Sequence, residues 1–437
     1  MRENLKLDRT AIHCDGGPDI FRSAAPDANR PLRIAIFVNE FPALSETFVL
    51  NQITGLLDLG HDVTIFATRP RREARVHRDV LRYRLWQRAS YREMPEPRLK
   101  RIVEAPDLFV HAPANRRSFV KALNPFRYGR EATSLSMFYW TDCLSRHAPF
   151  DVIHCHFGII GQQVAYLREI GAISGKLVTT FHGVDMSSCL DRDPDLYEHL
   201  FEHGDLFMPV SDYWRHRLIA HGCNPDRITI HRMGIDLTRF SFNSDRMKTG
   251  DPASVLTIGR LIEKKGVEFG LRAVAKLAAR GLPLRYDIVG DGPLRAELEA
   301  LATGLGIADR VYFHGACTND EVVRHMHRSD VLLAPSVTDD QGEQEGIPVT
   351  IMEAMATGIP VVSSLHSGIP ELVEDGVSGL LLPERHVEGI ASAIALLLTA
   401  PEQSKKLALA ARDKVMAEYN IETLNHRLAV RFRELTR

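Results

Sequence analysis

Two carboxylates eight positions apart, Glu345 and Glu353, frame the stretch EGIPVTIMEAMATG at 345–358. Pro348 fits the first position of a helix that holds Glu353 and stops at Gly358, which leaves the amides of Val349 and Thr350 free at its mouth. Free amides at the positive end of a helix dipole favour an anion. Arg260 and Lys265, on the loop RLIEKKG after another apolar run, can add charge-assisted bonds to the same anion. The set suits a diphosphate, with Glu345 and Glu353 accepting bonds from hydroxyl groups of a sugar on one side and a ribose on the other. Gly346, and Gly290 and Gly292 of DGP, belong to the same donor side, where a missing side chain lets backbone approach a ligand. The competing reading makes both glutamates ordinary helix-start acids. The G-x-G at 290–292 lacks the third glycine of a dinucleotide fingerprint.

The first half offers FPALSETFV (41–49), HCHFG (154–158) and TFHGVD (180–185). His154 and His156, two apart on a strand, share one face, but a metal needs further ligands, which leaves structural or acceptor-side roles. His182 follows an apolar strand and precedes Gly183, which puts an imidazole at a cleft rim; a satisfied core histidine is the alternative. Ser45, Glu46, Thr47, His156 and Asp185 are placed on the acceptor side. Cys155 points away from the histidine face into packing. His325 and His327, two apart on a helix, do not face each other and read as surface residues.

These groups need a scaffold, and 437 residues exceed one ordinary core. Short β-rich runs alternate with helical stretches: 32–38, 62–67, 151–157, 176–183 and 205–211 as strands, then 254–259, 284–290, 310–315, 331–336 and 360–364. The helix at 45–60 is capped by Ser45 and ended by Gly60. Such alternation implies parallel sheets of right-handed βαβ units, and its restart after a polar stretch implies two doubly wound α/β domains facing a central cleft. The expected division is a flexible segment 1–30, an acceptor-binding domain 31–240, a linker 241–252, a nucleotide-sugar domain 253–410, and a C-terminal helix 411–437 packing back on the first domain.

A 44% hydrophobic, 25% charged composition is that of a globular protein, and no run approaches the length of a membrane span. Residues 1–30 lack the apolar middle of a secretory signal, so a cytoplasmic location is the expectation. Six scattered cysteines without a CxxC pair suggest neither a disulfide framework nor a zinc knuckle. Residues 69–130 hold 17 Lys/Arg against 6 Asp/Glu. That excess suits peripheral contact with anionic lipid at the inner membrane face, the alternative being a solvated helical face. No nucleic-acid motif accompanies the charge.

Together GRLIEKKG, IVGDGPLR and EGIPVTIMEAMATGIPVVSSLHSGIPELVEDGVSGLLL resemble the donor-binding half of GT-B retaining glycosyltransferases of family 4, built of two Rossmann-like domains. The resemblance implies that Glu345 touches the donor sugar near its reacting carbon, that Glu353 binds the ribose, that Arg260 and Lys265 hold the diphosphate, and that His182 contacts the sugar. FP-x-LSETF, HCHFG and TFHGVD are similar to exopolysaccharide glycosyltransferases of the colanic acid and amylovoran type. The implied reaction moves a sugar from a nucleotide-diphosphate sugar to a polysaccharide or lipid-linked oligosaccharide, with no cofactor and no metal. Asp339-Asp340 reads as a solvated acidic loop. A GT-B sugar-nucleotide 2-epimerase and a non-catalytic sugar-nucleotide-binding protein are the rivals. An NAD-dependent oxidoreductase is disfavoured by the missing G-x-G-x-x-G.

Overall fold

The computed structural model describes residues 30–43, 46–71, 77–111, 115–242 and 252–437. Segment 1–29, Ser45, most of the 241–252 linker and parts of the basic 69–130 stretch lie outside the described residues.

Six parallel strands form the first sheet: β1 (Arg33–Phe41), β2 (Asp62–Pro70), β3 (Ala89–Tyr91), β4 (Val152–His156), β5 (Lys176–Phe181) and β6 (Leu206–Pro209), in the order β3-β2-β1-β4-β5-β6. The second holds β7 (Ala253–Ile258), β8 (Leu284–Val289), β9 (Val311–Gly315), β10 (Val331–Ala334), β11 (Val361–Ser364) and β12 (Leu380–Leu382), ordered β12-β11-β10-β7-β8-β9. Both follow the same doubly wound plan. Each reverses its strand order beside its first strand, between β1 and β4 and between β7 and β10, and a crevice opens beyond the carboxyl ends at such a point. The apolar runs that mark these strands are buried on both faces, as in the consecutive Ile34, Ala35, Ile36 and Phe37 of β1 and Val255 and Leu256 of β7. The edge strands β3 and β12 have three residues each, too short to announce themselves by periodicity.

The chain crosses between the halves twice. The expected boundary at 410/411 falls inside the helix Pro401–Glu418, and the break comes at Tyr419 and Asn420. There the Ile235 N–H donates to Tyr419 O (3.0 Å) and the Ile421 N–H to Ile235 O (3.1 Å). The last helix, Ile421–Leu435, sets Leu428, Ala429 and Phe432 into the core of the first domain with Ile34, Ile53 and Leu56. Gly55 permits this close packing, since a Cβ there would stand 1.8 Å from Asn425 Nδ2.

Candidate active site

The helix Val349–Thr357 follows β10 through a long loop. Pro348 occupies its N-cap with φ −64° and ψ 120°, one position earlier than expected, because the residue that precedes the first helical turn here is extended. Gly358 ends it at φ +81°, a conformation that an L side chain rarely adopts. The Ile351 N–H closes the first turn on Pro348 O (3.1 Å), so the amides of Val349 and Thr350 remain at the mouth. Both residues line an interdomain cleft of about 430 Å³, with Glu345, Gly346, Glu353 and Lys265 on the same wall. Its opposite wall comes from the first domain through Glu46, Thr47, Phe48, Phe157 and His182.

Lys265 Nζ lies 3.0 Å from Glu345 Oε1, with the two side chains 20% and 11% exposed. Burial works to raise the Glu345 pKa, but the ammonium groups of Lys265 and Lys264 outweigh it and keep the carboxylate below its ordinary range. Behind it, the Glu345 N–H donates to His366 Nε2 (3.0 Å), while His366 Nδ1 meets Glu384 Oε1 at 2.5 Å. Since Nε2 accepts, the Nδ1–H donates a hydrogen bond to the carboxylate. Ser367 Oγ donates to Glu345 O (2.8 Å), so the backbone of Glu345 is held on both sides. This bracing by His366, Ser367 and Glu384 was missed from the sequence, although HSGIPE lies within the motif-bearing segment.

Glu353 faces the cleft, partly exposed, without a cation against it among the described residues. Burial alone pushes its carboxyl up to about 8.

His182 is buried between the rings of Phe48 (4.6 Å between centroids) and Phe157 (4.8 Å). Its Nε2 meets His156 Nδ1 at 3.1 Å, and its Nδ1 has no hydrogen-bond partner among the described residues. Burial and the neighbouring His154 and His231 push its pKa down to about 3, so a neutral imidazole presents itself to the cleft. His156 stands behind it, fully buried, and positions His182 rather than meeting an acceptor. Asp185 is likewise not an acceptor group. Its carboxylate takes the N–H groups of Gly158 (2.7 Å), His182 (3.0 Å) and Gly183 (3.0 Å), which ties the histidine loop to the start of the helix Gly158–Glu169. Burial still raises it to about 6 against those bonds.

Glu46 and Thr47 do reach the cleft, and burial with the Glu40 charge raises Glu46 to about 7. Two backbones meet across the cleft at Gly183 and Gly346. Gly183 has φ +113°, and a Cβ on it would stand 2.7 Å from Gly346 Cα; one on Gly346 would stand 2.1 Å from His182 O.

Arg260 is not brought to this wall: it is exposed on its loop and absent from the lining of the cleft. Lys264 lines the cleft instead, bonded to Glu343 Oε2 (3.2 Å). Gly290 and Gly292 serve close backbone approach, but to the Arg260 loop rather than to the cleft. Added Cβ atoms would stand 1.9 Å from Gly259 O and 2.5 Å from Leu261 O. Asp339 accepts from the N–H groups of Gln341 (3.0 Å) and Glu343 (2.8 Å), so it organises its own turn. His325 is not a surface residue but half-buried against His314, with ring centroids 4.4 Å apart.

The pattern of the family described as Glycosyl transferases group 1 matches residues 241–414, and that of Glycosyltransferase Family 4 matches residues 45–239. The chain is 38% identical to the putative colanic acid biosynthesis glycosyltransferase WcaL of Salmonella typhimurium, over 91% of this chain and 98% of that protein. It is 35% identical to the amylovoran biosynthesis glycosyltransferase AmsK of Erwinia amylovora, over 91% and 98%. Among solved structures, Anabaena Alr3699/HepE in complex with UDP superposes with a TM-score of 0.68 at 17% identity, covering 92% of this chain and all of that one. Sucrose-phosphate synthase from Thermosynechococcus elongatus gives 0.68 at 20% identity, over 92% and 99%. With the GT-B fold in place, both halves matched in tandem and relatives aligned end to end, the chain belongs to the group 1 and family 4 glycosyltransferases, among the enzymes of exopolysaccharide biosynthesis.

Proposed function

We propose that the chain transfers a sugar, with retention of configuration, from a nucleotide-diphosphate sugar to a polysaccharide or lipid-linked oligosaccharide. The observation that carries this reading is the Lys265–Glu345 pair at 3.0 Å beside the free amides of Val349 and Thr350, with His182 on the facing wall. In it the diphosphate lies at the helix mouth against Lys265, the sugar ring between Glu345 and His182, and the ribose at Glu353. As the bond from the anomeric carbon to the leaving phosphate oxygen breaks, Lys265 and the helix amides stabilise the charge gathering on the diphosphate. The acceptor oxygen attacks the same face and its proton passes to the departing phosphate. Glu345 supports positive charge at the sugar ring, and the neutral His182 orients a hydroxyl group. The positive groups of this arrangement all come from the chain, so the transfer as drawn calls on no metal or cofactor.

A thermal-shift screen of UDP-, GDP- and ADP-sugars, followed by measurement of nucleoside diphosphate release with candidate lipid-linked acceptors, tests it. One donor class should raise the melting temperature with concentration, and Lys265→Ala should abolish the rise. A donor that stabilises wild type and the Lys265 variant equally would sink the proposed placement.

The same reading puts the enzyme at an anionic membrane surface. Leu99, Ile102 and Val103 are 72%, 62% and 69% exposed on one face of the helix Arg98–His111, and Phe126 is fully exposed. Arg98 and Lys100 on the same helix, and Arg116, Arg117 and Lys121 on the helix Arg116–Ala122, are exposed as well. No described helix is long and apolar enough to cross a membrane, so contact would be peripheral. Co-sedimentation with vesicles holding anionic lipid should fall when these basic residues are reversed in charge; unchanged partitioning removes the idea.

A further inference from the structure

A second convergence of ligand-type side chains lies away from the cleft. His199 and His203 are four residues apart on the helix Glu198–His203 and therefore share a face, and Glu169 ends the neighbouring helix Gly158–Glu169. One ligand atom of each lies within 4.8 Å of the others. His199 Nε2 faces Glu169 Oε2 at 3.3 Å, yet both atoms are shut off from solvent and neither makes a hydrogen bond among the described residues. The two atoms are out of line for a hydrogen bond at that separation, which is how two ligand atoms directed at a shared point stand to each other. The arrangement is also braced: Arg127 holds the other carboxylate oxygen at 2.5 Å, and Tyr166 stacks on His199 with centroids 4.5 Å apart.

We propose that Glu169, His199 and His203 bind one divalent cation of the zinc type. Two imidazole nitrogens and one carboxylate oxygen are a donor set that zinc takes, with a further position left for water. The helix Gly158–Glu169 begins at the cleft, and its 12 residues carry Glu169 to the far end, about 18 Å away at about 1.5 Å per residue. The ion would therefore clamp two helices of the acceptor domain and take no part in sugar transfer. A comparable group, Asp287 with His314 and His325, is already satisfied. Asp287 Oδ1 meets His314 Nε2 at 2.8 Å, and Oδ2 accepts from Ser254 Oγ at 2.8 Å.

The test uses the full chain stripped with chelator and titrated with Zn²⁺ by calorimetry, and with Co²⁺ by visible absorption. One ion per chain is expected, with a melting temperature that rises with free Zn²⁺ and cobalt bands free of thiolate charge transfer. His199→Ala and His203→Ala should each weaken binding by more than the 10–100-fold typical of losing a mere outer-shell partner. His199→Gln and His203→Gln serve if the alanine variants fail to melt cooperatively in chelator, and His314→Ala should bind as wild type does. No stoichiometric binding to the wild-type chain, binding that survives loss of His199 and His203, or binding lost with His314 would overturn the assignment.

Discussion

Replacing Lys265 by Ala isolates the charge pair on which the site is built. At 3.0 Å the attraction is about 5.5 kcal/mol for an effective dielectric of about 20, before desolvation is subtracted. Removing one partner of a buried pair costs about 3–5 kcal/mol, because the other charge is left unpaired. Both side chains retain some exposure, at 20% and 11%, so the lower figure, about 3 kcal/mol, applies. A loss of that size lowers the melting temperature by about 6–12 °C in a domain of this size. The deficit has a pH signature. Lys265 is what keeps the Glu345 pKa low, so the stability it gives is present above the unfolded carboxylate pKa and lost as pH falls through the folded value. Lys265→Ala should therefore be most destabilising at neutral pH and approach wild type in acid. Catalysis should fall by about 10²–10³, the usual cost of one preorganised charge stabiliser. The double variant Lys265→Met with Glu345→Gln separates the two effects, since it removes the unpaired charge but not the need for a cation. Stability near wild type with activity still lost is the expected result, read by thermal unfolding and nucleoside diphosphate release. Recovery of activity together with stability would refute the idea that Lys265 acts on the leaving group.

Three further outcomes are expected. Burial raises Glu353 from 4.5 to about 8, so the folded chain holds a proton that the unfolded chain has released in that window, and stability should fall as pH rises through it. Glu353→Gln should flatten this slope in denaturant titrations at pH 5 and pH 8; an unchanged slope contradicts the assignment. His366→Ala leaves the Glu345 N–H without its acceptor, a cost of about 1–3 kcal/mol, and turnover should suffer beyond what unfolding explains. Gly183→Ala sets a Cβ against Gly346 in a backbone conformation that an L side chain rarely adopts, and should hold the two loops apart. X-ray scattering should then show a larger radius of gyration than wild type, and an unaltered profile would deny that this close backbone approach sets the separation of the two loops.

The sequence alone determined the two doubly wound domains, because buried parallel strands are apolar on both faces and helical stretches between them repeat at a period of 3.6. It also determined the helix mouth at 349 and 350, since Pro348 and Gly358 bound that helix whatever surrounds it. Tertiary structure decided which groups face one another. Arg260 and Lys265 share a loop, yet only Lys265 turns to Glu345, because the glycines at 290 and 292 let the backbone of residues 259–261 pack tightly and leave Arg260 outside. Asp185, read as an acceptor contact, spends both oxygens on three amides, a count that only the folded loop reveals. The bracing of Glu345 by His366 and Glu384 joins residues 18 to 39 positions apart, and no local period encodes such a contact. Local geometry follows from the order of residues; the direction of a side chain depends on what the other domain leaves open to it.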